Sequence, residues 1–438
     1  MFATVTECSG LRLGVALTAV LFIWPTGYAG ATEQEVRELR QEVKELRNRI
    51  SEMEGLKARL SELEERLKET GSYKTAEKES VSESSLDSED PESMDIGGAL
   101  RFNTFWESFD GDIKTRRGDI GLDLFRLNVD GRKSNILISA EYRWYPYMDT
   151  IHHGWIGYDF GELGRIQAGV TRVPFGLLPY AAHNYWFGVP YYLGLADDYD
   201  AGLKYVYDQS PWNLQLAFFK NGELADAKNL ERYSYDLVAV DRDTGRNEED
   251  NQVNARLAYT LNEGVHLGTE LGLSLQYGQM YNQDTDDNGD HWAAALHLDW
   301  RYGRWNYQLE LGRYGYDPRN PAGVSDSTVN MGAFKDWYEV AAQGNFGAAN
   351  IAYNLPPPWQ VIDSLTVYND FSFLFKDKDD FEESYLNTIG CAVGIGPVFS
   401  YIDLILGRNM KYFGDGSLAG GGTRDWEARF NFNIGYYF

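Results

Sequence analysis

From about Asp95 to Phe438 the chain alternates apolar and polar residues with a period of two, a texture that a soluble sandwich and a membrane barrel share. Ile136, Ile138, Ala140, Tyr142 and Trp144 alternate with Leu137, Ser139, Glu141 and Arg143. Trp212, Leu214, Leu216 and Phe218 alternate with Asn213, Gln215 and Ala217; Trp305, Tyr307, Leu309 and Leu311 alternate with Asn306, Gln308 and Glu310. Successive side chains of a strand point to opposite faces, so each run is a strand with one apolar and one polar face. Many of the runs cover ten or more residues, enough to cross a bilayer at a tilt and longer than ordinary sandwich strands.

The connections alternate too. Gly131-Arg132, Gly161 to Gly164, Asp208 to Pro211, Asn262 to Gly264 and Tyr302 to Arg304 read as tight turns. Between them lie longer loops near 107–117, 173–198, 220–250, 281–290, 316–335 and 409–424. Short turns at one end and long loops at the other are the habit of outer-membrane barrels. Trp106, Trp144, Trp292, Trp300 and Trp305 fall near strand ends, where interfacial girdles put aromatic rings. The fold class read from this is an all-β transmembrane antiparallel β-barrel of about sixteen strands over 95–438, preceded by a short α-helical coiled coil. The count is least defined over 336–375, where Asn345 to Tyr353 reads as part of a strand or as a turn. Aromatics make up 15% of the chain while the mean hydropathy is only -0.45, the pairing expected when every second residue faces water.

The segments before the barrel differ. Arg12, the apolar run Leu13 to Trp24 and Ala29-Gly30-Ala31 read as a signal peptide over 1–31, with Thr32 as the first mature residue. Residues 32–70 carry apolar positions at Val36, Leu39, Val43, Leu46, Ile50 and Met53, then Leu56, Leu60, Leu63 and Leu67: a heptad seam with a stammer beside Gly55. So narrow a seam on a polar helix is covered by its own copies, so a homo-oligomer is expected; the number of chains stays open. Residues 71–94 are an acidic flexible linker. The two cysteines, Cys8 and Cys391, build no disulfide framework. A formal charge of -26 argues against a nucleic-acid partner.

In the last run, Trp426, Ala428, Phe430, Phe432, Ile434, Tyr436 and Phe438 share the outward parity. Ending on Phe after alternate aromatics, it resembles the C-terminal signal read by the barrel-assembly machinery of Gram-negative outer membranes. Gly169-Val170-Thr171-Arg172-Val173-Pro174-Phe175-Gly176 and the returning Asp197-Asp198-Tyr199-Asp200-Ala201-Gly202-Leu203-Lys204-Tyr205 resemble the strand-to-loop segment and return of the phosphate-selective O and P porins and of relatives with a periplasmic coiled coil. That resemblance implies a sixteen-stranded, trimeric porin whose third external loop folds inward. The family's closely spaced run of Lys and Arg has no visible counterpart here, so phosphate selectivity does not come with it.

Val173 to Ala196 contains no Asp, Glu, Lys or Arg but holds Pro174, Phe175, Tyr180, Tyr185, Trp186, Phe187, Tyr191 and Tyr192. Such a loop has to pack on something: the inner barrel wall or a subunit interface. The lumen is the expected place, with Asp197, Asp198 and Asp200 lining one side of a constriction. By parity Arg101, Arg126, Arg143, Arg165, Lys204, Arg256, Arg301 and Arg429 face the lumen with Glu141, Glu270, Glu310, Glu339, Glu427, Asp123 and Asp299. A parity switch within 120–129 suggests a bulge. Facing charges would sort permeants; a water-filled barrel also needs polar residues regardless. Loop rings also leave open a path for sugars.

Asp284-Thr285-Asp286-Asp287-Asn288-Gly289 matches the first half of an EF-hand loop, with Ala295 at its twelfth position, so Asp284, Asp286 and Asn288 are a weak calcium candidate. His152 and His153, adjacent on a strand, should point to opposite faces and share no metal. No hydrolase, metalloprotease or phosphate-loop motif occurs, and no cofactor is expected. The reading is a passive channel for small hydrophilic solutes or ions in the outer-membrane lipid, with its N-terminal region in the periplasm. The rival is a structural barrel whose coil tethers the membrane to a periplasmic partner or the cell wall.

Overall fold

The computed structural model describes residues 92–264 and 267–438, with Gln41 and Lys44 besides, and no side chain within 262–266. The expected signal peptide and coiled coil, and all but the end of the linker, therefore lie outside the described residues. The strands in chain order are β1 (Glu92–Glu107), β2 (Asp119–Lys133), β3 (Ile136–Trp144), β4 (Asp149–Asp159), β5 (Arg165–Arg172), β6 (Tyr199–Gln209), β7 (Trp212–Gly222), β8 (Asp236–Leu237), β9 (Asn247–Gly264) and β10 (Leu267–Asn282). They continue with β11 (Asn288–Tyr302), β12 (Trp305–Asp317), β13 (Thr328–Ala333), β14 (Asp336–Ala341), β15 (Gln343–Leu355), β16 (Ser364–Lys376), β17 (Ser384–Ile395), β18 (Val398–Arg408) and β19 (Trp426–Tyr437).

Sixteen of these close a barrel in the order β1-β19-β18-β17-β16-β15-β12-β11-β10-β9-β7-β6-β5-β4-β3-β2. Every neighbouring pair is antiparallel. Closure comes from β1 on β19, running from Ala99↔Tyr437 to Glu107↔Arg429, so the barrel sheet has no open edge. Beyond that ladder Gly98 and the terminal Phe438 exchange backbone hydrogen bonds of 2.9 and 3.1 Å. The stretch around Asn345 to Tyr353 is strand, the centre of β15. β1 begins at Glu92, inside the segment read as linker.

Parity holds on the wall. Trp426, Phe430, Ile434, Tyr436 and Phe438 are exposed on the outer face, while Arg429, Asn431 and Asn433 are buried within. Near the short turns the outer rings pair as Tyr158–Phe160, Trp212–Tyr259, Trp300–Tyr307 and Trp305–Tyr353, with centroids 4.5 to 5.0 Å apart. Near the long loops Tyr142–Trp144, Phe125–Trp144 and Phe373–Phe375 do the same. An apolar outer band between two aromatic belts is the surface of a barrel that sits in lipid.

Two details differ from the sequence reading. β2 runs through Gly131-Arg132, and the turn falls at Ser134-Asn135, with Ser134 in the left-handed region at φ 54°. The second is a bulge beyond the one expected within 120–129, which the structure places at Asp123. Between β1 and β2 the register passes from Arg101↔Leu124 to Phe102↔Leu122, leaving Asp123 as the extra residue. Between β3 and β4 it passes from Glu141↔His153 to Tyr142↔Ile151, leaving His152 as the extra residue. An extra residue lets two neighbours point to the same side. Hence His152 and His153 are both buried, with their Nδ1 atoms 2.8 Å apart, rather than on opposite faces.

The long loops are not solvent flaps. β8, β13 and β14 form a separate three-stranded sheet within the loops at residues 223–246 (L4) and 318–342 (L6). Glu339, expected on the inner barrel wall, lies in this sheet, because what looked like a barrel strand is the loop strand β14. The sheet packs with L3 (residues 173–198) into one apolar core that includes Phe175, Val189, Tyr191, Leu193, Leu237, Val329, Met331, Val340 and the wall residues Phe219, Met280, Tyr314 and Phe346.

Candidate functional site

A loop without charged side chains still carries backbone N–H groups, and burial obliges each to find an acceptor. Along L3 the wall supplies them. The Gly176 N–H donates to Ser274 Oγ at 3.0 Å and the Leu177 N–H to Glu310 at 2.6 Å. The His183 N–H donates to Asp370 at 2.6 Å, and Asn184 Nδ2 reaches the same carboxylate at 2.8 Å. The Val189 N–H donates to Ser372 Oγ at 2.9 Å. These acceptors stand on β10, β12 and β16, all with their side chains inside the barrel. On the other side the Tyr185 hydroxyl donates to Asp123 at 2.9 Å, so L3 spans from the β10–β16 wall to β2. Gly176 has φ 64° and lies against the Glu310 carboxylate, so a side chain there meets both strain and a clash.

Burial disfavours a charged His183, but the Asp370 carboxylate beside it outweighs that and raises its pKa above the ordinary histidine value. Its Nδ1 lies 2.7 Å from Asp370 and its Nε2 2.7 Å from Asn306 Oδ1.

Between L3 and the β1–β5 wall lies a cavity of about 310 Å³. Its wall side carries Arg101, Asp123, Glu141, Arg143, His152 and Arg172; its loop side carries Tyr180, Tyr185, Trp186, Tyr191, Tyr192 and Asp197, with Tyr233 and Tyr235 from L4. The guanidinium groups are answered in place. Arg101 meets Asp123 at 2.8 Å, Arg143 meets Glu141 at 2.5 Å, Arg126 meets the same Glu141 at 3.4 Å, and Arg172 meets Asp197 at 3.5 Å. Rings cover several of them: Arg143 stands 4.5 Å from the Tyr233 ring centroid and Arg101 5.4 Å from that of Tyr185. The Tyr233 hydroxyl donates to Asp197 at 2.5 Å. The result is a ring-rich space with alternating, mutually neutralising charge.

The other expected site residues fall elsewhere. Arg429 pairs with Glu107 and lies between the rings of Phe105 and Trp186, 4.5 and 4.4 Å from their centroids, so it grips the L3 tip. Arg256 donates to the Gly176 carbonyl at 2.8 Å and to Glu270 at 2.5 Å, bracing the base of L3. Lys204 donates to the Arg172 carbonyl at 3.0 Å. Arg165 opens β5 beside the short turn, and Arg301, largely exposed and 3.1 Å from Asp299, sits by the turn after β11. Pro174 and Phe175 are buried, Phe175 in the apolar core rather than on the cavity. Asp197 faces the cavity, whereas Asp198 and Asp200 turn away beneath L4, because Asp197 takes φ 49° and redirects the chain. Asp284 is held by Arg246 at 2.6 and 3.0 Å, and Asp286 accepts from the Tyr281 hydroxyl at 2.6 Å, so the two carboxylates of the calcium candidate face side-chain donors. Arg172, the two histidines and Tyr233 were not singled out for the lumen; Arg172 alone was signalled, inside the segment that resembles the porin loop.

No family model matches the sequence, and no curated protein matches it. Solved structures do match the fold. The anion-selective porin from Comamonas acidovorans is 12% identical at TM-score 0.51, over 79% of this chain and 100% of that one. The outer membrane channel DcaP of Acinetobacter baumannii is 13% identical at TM-score 0.51, over 80% and 99%. Salmonella typhi OmpF, in complex with daunomycin, is 11% identical at TM-score 0.52, over 80% and 99%. At such identities the likeness concerns the fold: the chain has the sixteen-stranded antiparallel barrel of Gram-negative outer-membrane porins.

Proposed function

We propose that this protein is an outer-membrane diffusion channel for small hydrophilic solutes, narrowed by L3. One observation carries the reading: an aromatic loop with no Asp, Glu, Lys or Arg over 173–196 is bonded to inward-facing side chains of the barrel and leaves a cavity of about 310 Å³, lined by rings and paired charges, against the opposite wall. A barrel serving only as an anchor has no need to hold a loop across its own interior. The porin fold of the matching structures supports the same reading.

In this reading Arg101, Arg143 and Arg172 with Asp123, Glu141 and Asp197 line the narrow part, and the tyrosines offer hydroxyls and ring faces to a passing solute. The short-turn end faces the periplasm. The chain enters β1 at that end, where Glu92 pairs with Lys133, so residues 32–70 would hang there and join copies of the chain, a trimer if the porin resemblance extends to assembly. Planar-bilayer recording of the purified protein tests the function: discrete open-channel currents are expected, and a silent, correctly folded barrel would overturn it.

A further inference from the structure

Where L3 returns to the wall the protein buries several carboxylates around one guanidinium. Asp198 ends L3, Asp200 lies on β6, Glu223 follows β7 and Asp236 lies on β8; their relative exposures are 5, 0, 5 and 1%. Arg232 Nη1 lies 2.8 Å from Asp236 and 3.8 Å from Glu223. Gln252 donates to one oxygen of Asp200 at 3.0 Å, and the Ser234 N–H donates to one oxygen of Glu223 at 3.0 Å.

That leaves Asp198 Oδ1, Asp200 Oδ1, Asp236 Oδ1 and Glu223 Oε2 fully buried with no N–H or hydroxyl donor among the described residues, while the carboxyls of Asp198 and Glu223 each come close enough to that of Asp236 to share a proton with it. A buried carboxylate oxygen without a donor is costly unless a proton or a cation answers it. One oxygen from each of Asp198, Asp200 and Asp236 lies within 4.8 Å of the others, the only such trio of metal-ligating side chains among the described residues. Ca–O bonds run about 2.3–2.6 Å, so oxygens on opposite sides of a calcium ion stand about 5 Å apart, and the trio fits around one. The donors are all hard carboxylate oxygens, which suit a hard divalent cation. Magnesium keeps its own waters and fits such a dry cage less well. A second cavity, of about 240 Å³ and lined by Arg232, Asp236, Glu248, Glu249 and Asp250, borders the cluster and gives a hydrated cation access.

We propose that Asp198, Asp200 and Asp236, with Glu223 beside them, bind one calcium-sized divalent cation that pins the return of L3 to L4. Carboxylate ligands must be deprotonated to hold a cation, so an ion entering this cage displaces whatever protons answer these oxygens in its absence.

The test is calorimetric titration of EDTA-treated, detergent-solubilised full-length protein with CaCl2 in two buffers of different ionisation heat. One saturable calcium ion per chain with proton release is expected, at an affinity well above that for MgCl2. The Asp198→Asn/Asp236→Asn variant should lose more than about 100-fold in affinity, beyond the loss typical of outer-shell changes. The Asp284→Asn/Asp286→Asn variant should bind as the parent does. No saturation of the parent protein at millimolar calcium would mean that protons alone fill the site, which overturns the proposal without reference to any variant. Loss of binding in the second variant but not the first would overturn it too.

Discussion

At the scale of single residues, the inner wall works by giving each buried charge a partner and each buried N–H an acceptor. Asp370 accepts from the His183 N–H and ring and from Asn184. Asp370→Ala removes all three acceptor contacts, and hydrogen bonds to charged groups contribute about 1.5–3 kcal/mol each. L3 should then become mobile, seen as increased open-channel current noise with the barrel still folded by circular dichroism. The same pair sets a pH response. The raised His183 pKa means its contribution is fully present below about pH 6.5, the ordinary value, and is lost as pH rises through the raised one. Channel noise should grow in alkaline buffer, and His183→Gln should flatten that dependence. Glu141 is shared by Arg143 and Arg126, so Arg143→Gln removes the nearer positive charge from the cavity wall. Reversal potentials in asymmetric salt should shift toward cation preference; an unchanged potential would take Arg143 off the path.

At the scale of elements, period-two alternation found most strands of the wall, because the pleat puts every second side chain on the lipid side, but it did not separate the loop strand β14 from the wall. It could not show bulges in advance wherever both neighbours are polar. The switch near Asp123 was visible because apolar residues flank it; the one at His152 was hidden, because two adjacent histidines look the same on either face. Both bulges deliver a side chain to the cavity wall, which is what an extra residue in a ladder does. L3 was legible as an element that could not stand in water, since 173–196 has no Asp, Glu, Lys or Arg. Its attachments were not legible, since the acceptors Glu310, Asp370 and Ser372 lie far away in sequence on other strands. Shortening L3 by removing Tyr180 to Phe187 should raise single-channel conductance severalfold, whereas an unchanged conductance would mean that the narrow part lies elsewhere.

At the scale of the whole molecule, the formal charge of -26 is a poor guide to what the lumen would pass. Around the cavity Arg101, Arg143 and Arg172 each face a carboxylate, so the local field is largely cancelled where a solute is closest to the wall. The channel should therefore discriminate weakly between potassium and chloride, with a reversal potential near zero across a tenfold KCl gradient. A strong anion preference would require guanidinium groups less well countered than these.

The alternating runs, Asp425 to Phe438 among them, determined by themselves that the chain forms a barrel of strands with one apolar face, because that follows from local parity and strand length; parity alone did not decide which residues face the interior, since Glu339 lies in the loop sheet and a bulge turns His152 inward. Composition likewise determined that L3 must be covered. Which inward residues gather at one cavity and which merely brace the loop was decided only in three dimensions. Arg143 and Arg256 share parity and chemistry. One meets a ring-lined space and the other a loop carbonyl, depending on where L3 crosses. The three aspartates where L3 passes into β6 separate for the same reason: one left-handed residue, Asp197, turns its neighbours beneath L4, and no periodicity in the sequence records that turn.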